Sequence, residues 1–376
     1  MSKNQNNCCK KTSIGGQALM EGIMMRGPVT SAMAVRNTDG EMVVEKFATV
    51  TKPRAKFFKL PVIRGVFNYI DSMVMGTKCL MRSAEISGLE EAEEELRREK
   101  EAKKAAKAAK KAENNSTAAD EPVTENTTVE DNLINKARSE NTNSEKKKKD
   151  DSSLMMSLLM FFSVAIGIVF SVALFIIVPA YLYKGAAYLI PALKPENLAL
   201  QSLIKSIFEG VLKIVILIAY MSLISLMKDI KRTFMYHGAE HKTIFCYEAG
   251  LELTVENVRK QKRFHPRCGT SFLILMLLVG IFVSFFIDPL FLLAFGYLPA
   301  TVIRVLIKLL LLPLIVGIGY ELIKIAGKYD NLFTRIISAP GVWLQHITTK
   351  EPDDSMIECA IAALSEVIPA DESDKW

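Results

Sequence analysis

Leu154-Met-Met-Ser-Leu-Leu-Met-Phe-Phe-Ser-Val-Ala-Ile-Gly-Ile-Val-Phe-Ser-Val-Ala-Leu-Phe-Ile-Ile-Val-Pro-Ala-Tyr-Leu-Tyr183 is a run of thirty residues without a charge. A helix needs about 20 apolar residues to cross the hydrocarbon core of a bilayer. This run exceeds that length and marks the chain as a membrane protein. No apolar leader is visible at the start, Met1-Ser-Lys-Asn-Gln-Asn-Asn-Cys-Cys-Lys10, so insertion without cleavage is expected. Three further apolar stretches, 203–227, 271–295 and 302–325, complete four expected spans of a mainly α, four-helix transmembrane bundle.

Charge orients the set. Lys146–Lys149 precede the first span, and the segment 228–270 carries Lys228, Lys231, Arg232, Lys242, Arg259, Lys260, Lys262, Arg263 and Arg267. The connections 184–202 and 296–301 hold only Lys184 and Lys194 as basic residues. Lys and Arg concentrate on the cytoplasmic side of membrane proteins. Both termini and the 228–270 segment are therefore expected there, in a multi-pass protein of the cytoplasmic membrane. The spans carry charges of their own: Lys205, Glu209 and Lys213 share a stripe at i, i+4, i+8. Asp288-Pro289 is expected to interrupt or end the third span, and Asp288 could pair with Arg304 or Lys308.

Outside the spans the chain divides by composition. Residues 1–88 read as a small α+β unit. Its signals are a Gly/Met-rich start at Ser13–Pro28, two apolar runs flanking Asn37-Thr-Asp-Gly40, and an amphipathic helix over 61–87. Asp-Gly between apolar runs is a hairpin signal. The helix either lies on the membrane surface or packs on the core of that unit. Residues 89–151 are a charged, then polar, linker. The 152–330 region is the membrane domain, and 331–376 is a tail with an amphipathic pattern at Ile357, Ile361 and Leu364.

The net charge of +6 sits mostly beside apolar spans, where topology accounts for it, and no nucleic-acid motif accompanies it. The expected partners are the lipid bilayer and a membrane protein, not nucleic acid. Six cysteines, at 8, 9, 79, 246, 268 and 359, form no compact disulfide framework.

The chemistry concentrates in Tyr236-His-Gly-Ala-Glu-His-Lys242. His237, Glu240 and His241 stand at i, i+3 and i+4, one face of a helix. The order H-x-x-E-H occurs among zinc peptidases. His265-Pro-Arg-Cys268 follows, so three of the four histidines lie in one short segment; the fourth is His346. His237, His241, His265 and Cys268 together suit a tetrahedral zinc site. Four ligands would make it a structural staple. Three would leave a position open, with Glu240 or Glu248 as general base. A further carboxylate ligand could be Glu248 or Glu321. Cys and His ligands favour zinc over magnesium, with iron and other transition metals open. Without metal, these histidines would be hydrogen-bonding groups at a membrane interface. Gly15-Gly16 could cradle a phosphate or approach the metal segment, but a tight turn is the favoured reading, since no P-loop ending follows.

Gly15-Gly-Gln-Ala-Leu-Met-Glu-Gly-Ile-Met-Met-Arg-Gly-Pro28, Tyr236-His-Gly-Ala-Glu-His-Lys-Thr243, His265-Pro-Arg-Cys-Gly-Thr-Ser-Phe272 and Thr348-Thr-Lys-Glu-Pro352 together resemble the YqhQ-like family of bacterial membrane proteins. The resemblance covers about 13–88 and 153–368 and leaves out the linker. It implies a multi-pass bacterial membrane protein, described as a metal-dependent enzyme of unknown function. It supplies no substrate. Three functions follow for testing: a metal-dependent hydrolase acting on a membrane-associated substrate, a scaffold or assembly factor with a structural zinc, and a small-solute transporter.

Overall fold

The computed structural model describes residues 11–49, 55–88, 162–371 and 373–375. The expected linker and the start of the first expected span lie outside these residues. The chain forms two compact units, Met1–Ala92 with Pro179–Trp376, and Glu93–Val178. Within the second, the described residues are the first part of a helix, α2, Phe162–Leu189, which contains one π-helical stretch at Ala173–Ile177.

The first unit opens with an antiparallel sheet in the order β1-β2-β3-β4, formed by Gly15–Leu19, Gly22–Arg26, Thr30–Arg36 and Met42–Ala48. Met20 and Glu21 turn β1 into β2, with Leu19 opposite Gly22. Between β3 and β4, Asn37 Oδ1 accepts from the backbone N–H groups of Asp39 and Glu41, at 3.0 and 2.8 Å. Gly40 supplies the left-handed residue of that turn, φ 82°. The expected hairpin is present. Gly15-Gly16 belong to a strand, not a turn. Nothing local could show this, because β1 is defined by its pairing to β2.

Both faces of the sheet are covered. Leu19, Met24, Met33 and Val35 pack against Cys79, Met75, Leu80 and Ile86 of α1, Ile63–Ile86. The helix packs on the core of that unit, one of the two readings given for it. Ile23, Met25, Ala32 and Ala34 face the other way, onto α4, Lys228–Glu248, and α10, Asp354–Ser365. This accounts for the unbroken apolar runs in β2 and β3, since a strand buried on both sides cannot alternate. The edge strand β4 does alternate in exposure.

Residues 228–270 read as a loop with little core of its own. They contain α4, whose Tyr236, Ala239, Ile244 and Cys246 are buried in the main core, and the short helix α5, Val255–Arg259. Helix α10 is capped by Asp353, which accepts from Met356 N at 2.9 Å. Its Met356, Ile357, Cys359, Ala360, Ala363 and Leu364 complete that core.

The remaining helices are α3, Leu198–Ile224; α6, Gly269–Phe295; α7, Thr301–Leu310; α8, Leu312–Lys328; and α9, Leu332–Thr348. Among the described residues, α2, α3 and α6 are long and apolar enough to cross a membrane. The pair α7 and α8, bent by 46°, makes a fourth if counted as one span. Pro289 neither ends nor interrupts α6, which runs on to Phe295 and stops at Gly296, φ 78°. The pairing of Asp288 with Arg304 is formed. The fold is thus mainly helical, with one small sheet.

Candidate metal centre

His237 and His241 project from adjacent turns of α4, their ring centroids 4.4 Å apart. Cys268 is the N-cap of α6. The ligand atoms of these three residues all lie within 4.8 Å of one another, so the group could hold a metal ion. All three are buried.

The hydrogen bonds fix which ring nitrogens are presented. His237 Nδ1 lies 2.8 Å from the Thr348 carbonyl oxygen, and His241 Nδ1 lies 2.5 Å from that of Arg263. A carbonyl only accepts, so each Nδ1 carries the proton and each Nε2 is left as the ligand atom. Backbone partners of this kind orient metal-binding histidines. His237 Nε2 is 3.0 Å from Cys268 Sγ. His241 Nε2 is buried with no hydrogen-bond partner. A buried orphan nitrogen is costly unless something binds it. Nitrogen and sulfur ligands of one tetrahedral zinc stand about 3.5 Å apart. The 3.0 Å contact needs a shift of only about half an ångström to meet that value.

The electrostatics agree with a thiolate held by imidazoles. Burial pushes the Cys268 thiol up, but the charges of His237 and His241 and the hydrogen bond with His237 outweigh it and bring it well below its ordinary value. Burial pushes His237 down, and the Cys268 charge and hydrogen bond reverse this and raise it to about 9. In the metal-free protein this is an imidazolium–thiolate pair, aided by the N-terminus of α6.

Glu240 is buried beside the group. Burial raises its carboxyl, and the two histidines and a hydrogen bond from the Gly16 backbone N–H work the other way. β1 passes so close that a Cβ at Gly16 would stand 2.8 Å from Glu240 Cγ and Cδ. A Cβ at Gly238 would stand 2.0 Å from the Lys350 carbonyl oxygen. These two glycines let β1 and Thr348–Pro352 close over α4. The four segments that carry the family resemblance thus converge here, supplying Gly16, the α4 residues, Cys268 and the Thr348 carbonyl.

The structure does not bring His265 into the ligand group. Gln345, fully buried, clamps its backbone: Oε1 accepts from His265 N and Nε2 donates to His265 O, both at 2.7 Å. The ring turns toward Glu248, 3.8 Å away, and Arg267, 3.2 Å away. Burial is the main cause of its low pKa, about 4, which Glu248 only partly offsets. Burial would raise Glu248. The nearby His265 ring and the charge and hydrogen bond of Arg267 outweigh this and lower it. Glu248 also accepts from Thr12 N at 2.8 Å. Glu321 pairs with Arg64 on α1, Nε to Oε1 at 2.7 Å. Neither carboxylate joins the group. His346 is exposed, its Nδ1 2.9 Å from the Trp343 carbonyl. Arg263, Gln345 and Thr348 carry no side-chain signal of a role here, since they act through backbone atoms or hold backbone. Only the placement of Thr348 at the head of a quoted motif hinted at one of them.

The family model described as a protein of unknown function, DUF1385, matches residues 60–370. The chain is 31% identical over 362 residues to the uncharacterized protein YqhQ of Bacillus subtilis (strain 168), covering 94% of this chain and 92% of that protein. No solved structure matches it.

Proposed function

The chain belongs to the DUF1385 family, and on that premise we propose that it is a zinc-dependent hydrolase of the bacterial cytoplasmic membrane. In this reading it crosses the bilayer four times with both termini and the metal centre on the cytoplasmic side. The excess of Lys and Arg in 228–270 supports that orientation. One observation carries the chemistry: two buried histidines with proton-bearing Nδ1 atoms aim Nε2 at a thiolate, and a buried carboxylate lies beside them.

Three protein ligands are the usual complement of a catalytic zinc, which keeps one position open. The ion would supply Lewis acidity there. Cys268, His237 and His241 would hold it, the Thr348 and Arg263 carbonyls set the rings, and Gly16 positions Glu240. Burial makes the Glu240 carboxylate a stronger base than an exposed one, fitting it to take a proton and return it to a leaving group. Closeness to the apolar helices points to a membrane-associated substrate.

The test pairs metal content with turnover. Wild type and Glu240→Gln, purified in detergent, are assayed on ester, amide and phosphate substrates with zinc supplied. Full zinc content with at least 100-fold lower turnover in the variant is expected. Equal turnover in both would overturn the catalytic role. The enclosure of the centre, with His241 only 1% exposed, favours a second reading, a scaffold whose zinc staples α4 to α6 and docks a membrane-protein partner. Under that reading, Glu240→Gln leaves function intact and zinc removal abolishes partner binding.

A further inference from the structure

A second buried polar centre lies among α3, α6 and α7. Its residues are Lys205, Glu209 and Lys213 on α3, Asp288 on α6, and Arg304 and Lys308 on α7. Asp288 stands 20 residues along α6 from Cys268, about 30 Å at the rise of an α-helix. This centre is therefore separate from the metal group.

The pairing is uneven. Arg304 grips Asp288 twice, Nε to Oδ1 at 2.7 Å and Nη2 to Oδ2 at 2.6 Å, and Ser202 Oγ donates to Oδ2 at 3.1 Å. That end is balanced. Glu209 must serve two lysines: Lys308 Nζ at 3.0 Å and Lys205 Nζ at 3.7 Å. Lys213 is 8% exposed. Among the described residues no carboxylate lies at ion-pair distance from it, and a close neighbour is another cation, Lys308. Four basic groups face two carboxylates, a surplus of two positive charges, and the surplus falls at the Glu209 end, where Lys205, Lys213 and Lys308 face one carboxylate. An unmatched ammonium buried among apolar helices costs several kcal/mol, and ionisable groups so placed are kept by pairing or by function.

We propose that the Lys213/Lys308 end of this network is an oxyanion site that takes a dianionic phosphate group. The ligand is either inorganic phosphate or a lipid headgroup bearing a terminal phosphate. Its two negative charges match the surplus. Lysine binds phosphate as a point charge, without the planar fork that Arg304 has already committed to Asp288. The burial of Lys213 comes from protein atoms alone, so only the lipid source of the ligand rests on the membrane reading above.

The experiment uses the full chain in phosphatidylcholine nanodiscs prepared without phosphate. Thermal unfolding is followed as inorganic phosphate is added, and separately in discs containing phosphatidate. At about 100-fold excess over the dissociation constant, an increase of about 5 °C is expected in wild type. Lys213→Arg should keep the response, and Lys213→Met should lose it, with zinc content unchanged in both. A response to inorganic phosphate identifies the free ion, and a response to phosphatidate alone identifies the lipid. Phosphorus-31 NMR on wild type reads binding directly if Lys213→Met does not fold. No shift and no bound phosphorus signal with either probe would overturn the proposal and leave Lys213 as a neutral amine. An undiminished response in folded Lys213→Met would overturn it too.

Discussion

Replacing Asp288 by alanine leaves the Arg304 guanidinium buried between α6 and α7 without the carboxylate that takes two of its hydrogen bonds, at 2.7 and 2.6 Å. Asp288 is 2% exposed and Arg304 8%, so water reaches neither well enough to compensate. Breaking one side of such a pair costs about 3–5 kcal/mol, mostly because a charge is left unpaired. Removing both partners removes that penalty. Asp288→Ala with Arg304→Met should therefore cost less than Asp288→Ala alone, with a coupling energy of about 2 kcal/mol or more. For a chain of this length each kcal/mol moves the unfolding midpoint by about 2 °C. The single variant should then melt about 6–10 °C below wild type, with the double variant recovering about half of that loss. The assay is thermal unfolding of wild type, Asp288→Ala, Arg304→Met and the double variant in one detergent, read by intrinsic fluorescence and by loss of monomer on size exclusion. A single variant within about 2 °C of wild type, or costs that simply add in the double variant, would refute the claim that the pair is desolvated.

Gly238→Ala places a Cβ 2.0 Å from the Lys350 carbonyl oxygen, a backbone atom that cannot rotate away. It should cost about 1–3 kcal/mol of stability and loosen the Thr348 contact to His237. Limited proteolysis near residue 350 should then speed up, and unchanged cleavage would count against the close approach. His265 gives a pH dependence: its folded pKa, about 4, lies below the unfolded 6.5. Its contribution is fully present above pH 6.5 and is lost as pH falls from 6.5 towards 4, by about 3 kcal/mol. Metal-free wild type should lose stability across that window more steeply than His265→Gln. Parallel pH curves for the two would show that His265 does not titrate as the buried neutral group described.

Much of this was legible in the sequence for identifiable reasons. Hydropathy found the long helices because their exposed faces remain apolar. Asp39-Gly40 found the hairpin because the backbone there needs a left-handed residue. The i, i+4 spacing found His237 and His241 because one helix carries both. What failed was long-range. Met25 and Ala34 are apolar because residues more than 200 positions away cover them, and no local pattern records that α4 and α10 do so. His265 had the spacing of a ligand, but spacing does not orient a ring, and the Gln345 clamp that turns it comes from α9. The Thr348 and Arg263 carbonyls belong to the backbone, which any residue supplies.

The most direct test of the metal centre is elemental analysis of the chain purified without chelator, beside His237→Ala, Cys268→Ala and His265→Ala. About one zinc per chain is expected, lost in the His237 and Cys268 variants and retained when His265 is replaced. Folded wild-type protein with no stoichiometric metal would contradict it, as would zinc that survives the loss of Cys268.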